Sequence, residues 1–524
     1  MILRGIQLLL LLVISSCQTP HTPKAEILHT PQVQSPQNSA QRSLSNDDAA
    51  IKKYFETNQF ENEKKHKRLV DYTPYKYEVL FTNPECGVYK YKTPIESIGG
   101  KTLFQKPENV FCKNKYDRRR SGQRNQSPQF RLIEWIKDSN TKEIFFTYLS
   151  FRNEAVKEAL CEVAKKGVKI RFVISKSERP ESDYMIGKEL VACSPENVQM
   201  KVRGFEGDLK YAHNKFLIIN PRTKDEFKIV FSSGNMTSGP VIHHENWNFI
   251  TTHAASYFAQ SHLCAAFAEW DDVSGTSRPE YIKTIKSCRA EINAEEETDI
   301  KVFFIPGEGV KEDNAGKRTA TEYLLDGDGQ HPGILNAKKI WLACHRFFYN
   351  TMINALDSAV SFKKKPETKA ELRIIADDDT YYVANDPAFH AEVQKTEWQR
   401  MSRLQFKGAK IKFMETNSNE GQIHHSKFLI FADKNKNSKD PVDDFTALFT
   451  GSANLTGAGF KDNWENSYYI TIPEVVRAFA TQYVYTWDKL ATEAKDLPKT
   501  AQVIDNLIDE PIIKTAEQLE SENK

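Results

Sequence analysis

Short, nearly continuous apolar runs alternate along this chain with longer stretches whose apolar positions recur every three or four residues. The runs "EIFFTYLSF" (143–151), "VKIRFVIS" (168–175) and "VQMKVRGF" (198–205) predict strands. "NEAVKEALCEVAKKG" (153–167) and the stretch around "MIGKELVAC" (185–193) predict helices between them. The order then recurs. "KIWLACHRFF" (339–348), "AELRIIAD" (370–377) and "AKIKFMET" (409–416) predict strands, separated by helical "YNTMINALDSAV" (349–360) and a helix around "FHAEVQKTEWQRM" (389–401). Strands without polar alternation are buried on both faces, and helices between them supply the cover. The reading is an α/β fold of two similar domains, 71–295 and 296–500, each a mixed sheet flanked by helices, packed as a pseudo-dimer.

The duplication extends to polar residues that a buried strand would not choose. "YAHNKFLIIN" (211–220) and "GQIHHSKFLIF" (421–431) both place a histidine and a lysine two apart before an apolar run: His213 and Lys215, His425 and Lys427. Residues i and i+2 of a strand point the same way, and lysine is almost never buried without a partner. Each pair is followed by a strand ending in small residues and an asparagine, "IVFSSGNMTSG" (229–239) with Asn235 and "ALFTGSANLTG" (447–457) with Asn454. A glutamate comes next, Glu245 in "HHENWNFI" and Glu465 in "NWENSYYI". One His/Lys/Asn/Glu set is weak evidence. Two in the same order, in matching contexts, point to chemistry shared between the halves.

Composition adds location rather than partner. Lys+Arg at 72 against Asp+Glu at 70 leave +2, so the bulk charge selects no anionic ligand. The chain opens "MILRGIQLLLLLVISSC", with Arg4, an apolar core too short to span a bilayer, and Cys17. The segment reads as a secretory signal (1–17), and "ISSC" resembles the bacterial lipobox, which implies lipidation of Cys17. Gln18 after it implies outer-membrane sorting by the same resemblance. The expected location is therefore exported and membrane-anchored, in the periplasm or at the outer membrane. Residues 18–70 begin with a stretch rich in Pro, Gln and Ser, which reads as a tether, and 501–524 as a polar tail. Export permits disulfides. Cys86 with Cys112 looks the likeliest pair, Cys161 with Cys193 and Cys264 with Cys288 are possible, and Cys344 reads as a core residue.

The two His-x-Lys motifs, each followed by a small-residue turn with Asn and then Glu, resemble the phospholipase D superfamily over roughly residues 100–490. "GSANLTG" after "HSKFLIF" carries the resemblance most specifically. The motif is often written with an Asp five residues after the Lys. Here that position holds Asn220 and Ala432, with Asp433 next, which puts loop geometry in question more than chemistry. The chemistry accounts for the residue types. Neutral imidazole attacks phosphorus and forms a covalent intermediate, and a second group protonates the leaving oxygen. Lys215 and Lys427 would neutralise the equatorial oxygens, Asn235 and Asn454 would donate to them, and Glu245 and Glu465 would hold the imidazoles. The resemblance implies His213 as nucleophile, His425 as general acid, and no cofactor or metal; the residues alone do not order the histidines. "HHE" (243–245) suggests zinc weakly, because adjacent ligands on a strand diverge. His243 and His244 read as loop or cleft-rim residues, His424 as packing or structural, and Asp377, Asp378 and Asp379 as a turn and helix cap.

The expected function is a phosphodiesterase of the phospholipase D type acting on a phospholipid. The alternatives are a metal-independent endonuclease of the same superfamily or a phosphate-binding lipoprotein without catalysis. The expected partners are a phosphodiester substrate and, through the lipid anchor, a membrane, with a monomer carrying one pseudo-two-fold site. The basic cluster "KNKYDRRRSGQR" (113–124) suits nucleic-acid phosphates or anionic headgroups equally. An Arg-Ser pair soon after the motif asparagine, frequent in the synthase branch, is absent from both halves, which favours hydrolysis over transfer to an alcohol.

Overall fold

The structure, a computed structural model, describes residues 76–82, 96–98, 101–103, 127–176, 180–205, 209–237, 239–313, 316–362, 368–381, 392–416, 423–434 and 436–497. Cys17, the tether, the basic cluster at 113–124, Cys86, Cys112 and the tail lie outside them. The first sheet comprises β1 (Lys76–Thr82), β4 (Glu143–Tyr148), β5 (Lys169–Ser175), β6 (Val198–Arg203), β7 (Phe216–Ile219), β8 (Glu226–Ser232) and β9 (Glu245–His253). A separate two-stranded ribbon is formed by β2 (Glu96–Ile98) and β3 (Lys101–Leu103). The second sheet comprises β10 (Ile300–Ile305), β11 (Lys339–Cys344), β12 (Glu371–Asp377), β13 (Lys410–Met414), β14 (Lys427–Ala432), β15 (Phe445–Gly451), β16 (Glu465–Ile470) and β17 (Ala491–Glu493).

The spatial order is β1-β9-β8-β7-β4-β5-β6 in one sheet and β10-β16-β15-β14-β11-β12-β13-β17 in the other. Strand for strand the two orders coincide, with β17 an addition at one edge. The duplication read from sequence is therefore a duplication of topology. In each sheet three strands run parallel and the rest antiparallel. Parallel neighbours need a crossover, and helices supply it: α2 (Glu154–Lys165) follows β4, and α3 (Pro180–Cys193) follows β5. These two and α1 (Pro128–Ile136) pack on the outer face of the first sheet through Leu132, Val156, Leu160 and Leu190. Asn153 caps α2 by accepting from Val156 N at 3.0 Å, a contact worth about 1 kcal/mol.

Two helices follow β9, α4 (Tyr257–Trp270) and α5 (Arg278–Ala290). In the second half α6 (Ala320–Asp326), α7 (Asn350–Ala359) and α8 (Glu392–Phe406) serve the outer face, and α9 (Pro473–Tyr485) follows β16. The inner faces of both sheets, together with α4, α5 and α9, share one continuous apolar core. Across it Phe231 stacks on Tyr468 at 3.8 Å between ring centres and Tyr281 on Trp464 at 4.9 Å. Each such pair adds about 0.5–1.5 kcal/mol beyond its area.

Disulfides join Cys161 in α2 to Cys193 in α3 and Cys264 in α4 to Cys288 in α5, while Cys344 is a buried free thiol. The two missing motif aspartates have separate replacements. Asn220 adopts φ 53°, a conformation asparagine tolerates. Its Oδ1 accepts from Lys142 N and Glu143 N, and its Nδ2 donates to Asn140 O. In the second half Asp444 takes the corner by pairing with Lys339 at 2.7 Å and accepting from Ser438 N. No described helix is long and apolar enough to cross a membrane.

Candidate active site

The strands that carry the motifs all end at one place. β4 and β8 finish there, and β7, β9, β14 and β16 begin there. His213 and Lys215 lie just before β7, in the last residues before regular pairing, and Glu245 and Glu465 are the first residues of β9 and β16. Their backbones are tied across the halves. His213 N donates to Trp464 O at 2.9 Å, and Trp464 N donates to Tyr211 O at 2.9 Å. The mirror arrangement has His244 N donating to Ile423 O at 2.9 Å and His425 N donating to His244 O at 3.0 Å. Each histidine of one half is thus clamped beside the glutamate of the other.

The side chains follow the backbone. His213 Nδ1 lies 2.7 Å from Glu465 Oε2, and His425 Nδ1 lies 3.2 Å from Glu245 Oε1. The hydrogen bond from His213 Nδ1 to Glu465 keeps the hydrogen there and leaves Nε2 with its lone pair; His425 Nδ1 approaches Glu245 at ion-pair distance without a hydrogen bond. Glu465 is fixed by Ser452 Oγ at 2.5 Å and by Asn463 Nδ2 at 3.2 Å. Glu245 is fixed by His243 Nδ1 at 3.1 Å and by Trp247 Nε1 at 3.1 Å.

The lysines are inside. Lys215 is fully buried and Lys427 nearly so. Lys215 Nζ donates to His213 O at 2.9 Å and sits 3.0 Å from His213 Nε2. Lys427 Nζ donates to His425 O at 2.8 Å and to Ser233 O at 3.3 Å, a carbonyl of the opposite half. The backbone N of Lys215 in turn donates to Asn466 Oδ1 at 2.8 Å. Asn235 and Asn454 occupy matching turns, each with its Oδ1 buried and without a hydrogen-bond partner. Both His-x-Lys pairs are buried.

Burial holds the His213 imidazole down to about 4, with Glu465 opposing the shift and Lys215 and Lys427 adding to it. His425 is pushed well down by burial, then by the charges of Lys427, His345 and Lys215. Each histidine feels the lysine of the other half, so the two sets form one electrostatic unit. Both imidazoles are neutral at pH 7, the state a nucleophile needs.

The comparisons with known proteins bear on this arrangement. The profile of the family described as "Cardiolipin synthase, PLD-like domain" matches residues 132–267 and 334–487, more than half of the chain and both halves of the duplication. The chain belongs to this phospholipase D-like family. Phosphodiesterase-type enzyme chemistry follows at that level. Among solved structures, phosphatidylserine synthase of Haemophilus influenzae Rd KW20 is 13% identical over 70% of this chain and 85% of that one, with a TM-score of 0.48. Yeast tyrosyl-DNA phosphodiesterase is 13% identical over 66% and 87%, with a TM-score of 0.41. Nuc of Salmonella typhimurium is 16% identical over 37% and 96%, with a TM-score of 0.25. Such remote likeness says nothing of substrate. No curated protein sequence matches the chain.

Several residues around the site of this phospholipase D-like chain were read differently from sequence. His243 and His244 are buried, not rim residues. His345, unremarked in the sequence, lies beside His425 with the rings tilted and their centres 4.8 Å apart. His424 N donates to Asp377 Oδ2 at 2.7 Å, and Thr416 Oγ1 donates to both Asp377 and Asp378. Those aspartates do more than make a turn: they fasten the segment that carries His425, and burial raises both carboxyls. Arg346, 3.6 Å from Asp379, supplies positive charge beside them. Among the described residues two groups of side chains have cation-ligand chemistry, Asp377/Asp378/Asp379 and His243/Glu245/His425. Ser452, Asn463 and Trp247, which fix the glutamates, sit beside the motifs in sequence, yet nothing local marks them as partners of those carboxylates.

Proposed function

We propose that the protein is an exported phosphodiesterase that hydrolyses a phospholipid through a covalent phosphohistidine. The crossed His–Glu pairs carry this reading: each half supplies a histidine and the other half orients it, so neither half holds a complete site. Nε2 of His213 attacks phosphorus, and the bond from phosphorus to the leaving alcohol oxygen breaks. His425 gives that oxygen its proton. Burial is the main cause that keeps His425 deprotonated; the anionic phosphate supports the acid role because it offsets the charges of Lys427 and Lys215 that add to it. Water then attacks the phosphohistidine, His425 takes its proton, and His213 is released. Lys215 and Lys427 neutralise the equatorial oxygens, and Asn235 and Asn454 donate to them.

The family's description names a lipid enzyme, and lipidation of Cys17 would hold the catalytic domains beside a membrane. Both support a phospholipid substrate. The two disulfides support an oxidising compartment. The deciding experiment offers the purified mature chain phosphatidylcholine vesicles, cardiolipin vesicles, single-stranded DNA and duplex DNA. Headgroup release from a lipid, lost in both His213→Ala and His425→Ala, is expected. Cleavage of DNA with none of lipid would overturn the substrate, and substantial activity left in either single variant would overturn the shared site.

A further inference from the structure

The two glutamates are held differently, and one of the differences sits two positions before each of them. Asn463 Nδ2 donates to Glu465 Oε1 at 3.2 Å; at the matching place in the other half, His243 Nδ1 lies 3.1 Å from Glu245 Oε1. Each stands two positions before its glutamate, on the same side of the chain. An amide and an imidazole fill the same orienting role, but only the imidazole is also a metal ligand. His425 Nδ1 reaches the same Glu245 oxygen from the opposite half at 3.2 Å. Two imidazoles and one carboxylate therefore converge, with a ligand atom from each within 4.8 Å of the others.

We propose that His243, Glu245 and His425 form an inhibitory site for a divalent transition metal, with zinc as the best fit. Bonds of about 2.0–2.1 Å in a tetrahedron place ligand atoms about 3.3 Å apart. The two nitrogen–oxygen distances here, 3.1 and 3.2 Å, are already close to that edge. Two His and one Glu with a water in the fourth position is an ordinary zinc set, and imidazole with carboxylate does not suit copper(I) or magnesium. Adjacent ligands along "HHE" do diverge, as the sequence argues: His244 turns to the other side. The third ligand comes from 180 residues away in the sequence, where no local motif reveals it.

Zinc on Nδ1 of His425 moves that nitrogen's hydrogen to Nε2. The ring then keeps its single proton at the substrate face and cannot accept one from water. It also takes Glu245 from its orienting contact. Bound metal thus stops turnover instead of supporting it, in keeping with a reaction whose nucleophile, acid and counter-charges are all side chains. The inhibitory consequence rests on the phosphodiesterase reading; the binding does not.

Equilibrium dialysis of the full chain against zinc chloride, with metal counted by atomic emission, tests the site. One zinc per chain is expected for the native protein. His243→Asn copies the arrangement of the other half, keeps a hydrogen bond to Glu245, and should weaken zinc binding at least tenfold. Cobalt(II) added to the native protein should show the intense visible bands of a four-coordinate ion, a readout that does not depend on any variant folding. Zinc should inhibit hydrolysis over the range in which it binds, and His243→Asn should shift that curve by the same factor. Equal zinc binding by the two proteins, or a six-coordinate cobalt spectrum, would overturn the site. Turnover indifferent to bound zinc would overturn inhibition alone. Zinc binding without hydrolysis of any phosphodiester would leave the site standing and remove the proposed function.

Discussion

At the scale of single residues, the glycine in "SSGN" and the alanine in "GSAN" show how little separates the two halves of the site. Gly234 and Ala453 stand at matching positions, each just before the motif asparagine. A Cβ on Gly234 would lie 1.7 Å from Glu245 Oε2, inside the carboxylate. The second half accepts a methyl because Glu465 is drawn to Ser452 and His213 instead. Gly234→Ala should therefore displace Glu245 and release His425 without breaking a strand. The expected loss in turnover is about 10²-fold, the lower range for general acid–base catalysis, with the melting temperature lowered by only a few degrees. Ala453→Gly should change turnover little. Circular dichroism melts and initial rates of the two variants check this, and an active Gly234→Ala would mean that Glu245 does not orient His425. The local residues of the site were legible because the set occurs twice. Which glutamate serves which histidine was not, because the crossing joins His213 to Glu465 and is fixed only by the packing of one half on the other.

At the scale of elements, the disulfide between α2 and α3 fastens two crossover helices on the outer face of the first sheet. Its loop spans 32 residues; by chain entropy such a closure stabilises by about 3–4 kcal/mol, less any native strain. Cys161→Ser should lower the unfolding midpoint, and the native protein should lose at least as much when reduced, because reductant also opens Cys264–Cys288. A variant as stable as the oxidised native protein would show that this bridge restrains nothing the unfolded chain explores. The helices and strands of this region were legible for a plain reason: β4 and β5 are built on the apolar runs 144–146 and 172–174, and α2 keeps a clean apolar stripe. The edges were not. β1 and β10 precede the repeating pattern, yet each pairs along the strand that begins with the motif glutamate, Thr82 opposite Glu245 and Ile305 opposite Glu465. β17 is three residues with no apolar pattern and exists only because β13 offers an open edge. Nothing local distinguishes such strands from loops.

At the scale of the whole molecule, the same burial that readies the site makes the fold sensitive to acid. Burial is the main cause holding His213 at about 4 and both His244 and His262 at about 3. An unfolded histidine titrates near 6.5, so below that pH the unfolded chain binds protons that the folded one refuses, and stability falls. The contribution is complete above about pH 6.5 and is lost progressively as pH drops toward the folded values. His262 isolates the effect, because it lies outside the candidate site. It sits in α4 and stacks on Tyr468 of the other half at 5.8 Å; its Nδ1 donates to Phe258 O at 2.8 Å and its Nε2 accepts from Tyr468 Oη at 2.9 Å. The positive charge of Arg289 adds to its burial, and the Phe258 carbonyl opposes it. Between pH 7 and pH 5 this one residue should cost the native protein about 2 kcal/mol, the integral of one proton's uptake by the unfolded chain. His262→Phe keeps a ring in the shared core and removes the titration. It should be less stable at pH 7, because two hydrogen bonds are gone, yet its stability should fall by about 2 kcal/mol less than that of the native protein over the same interval. Urea unfolding of both proteins at pH 7 and pH 5 measures the difference. Parallel losses would mean that His262 already carries its proton in the folded state, and that the packing between the halves tolerates a buried charge.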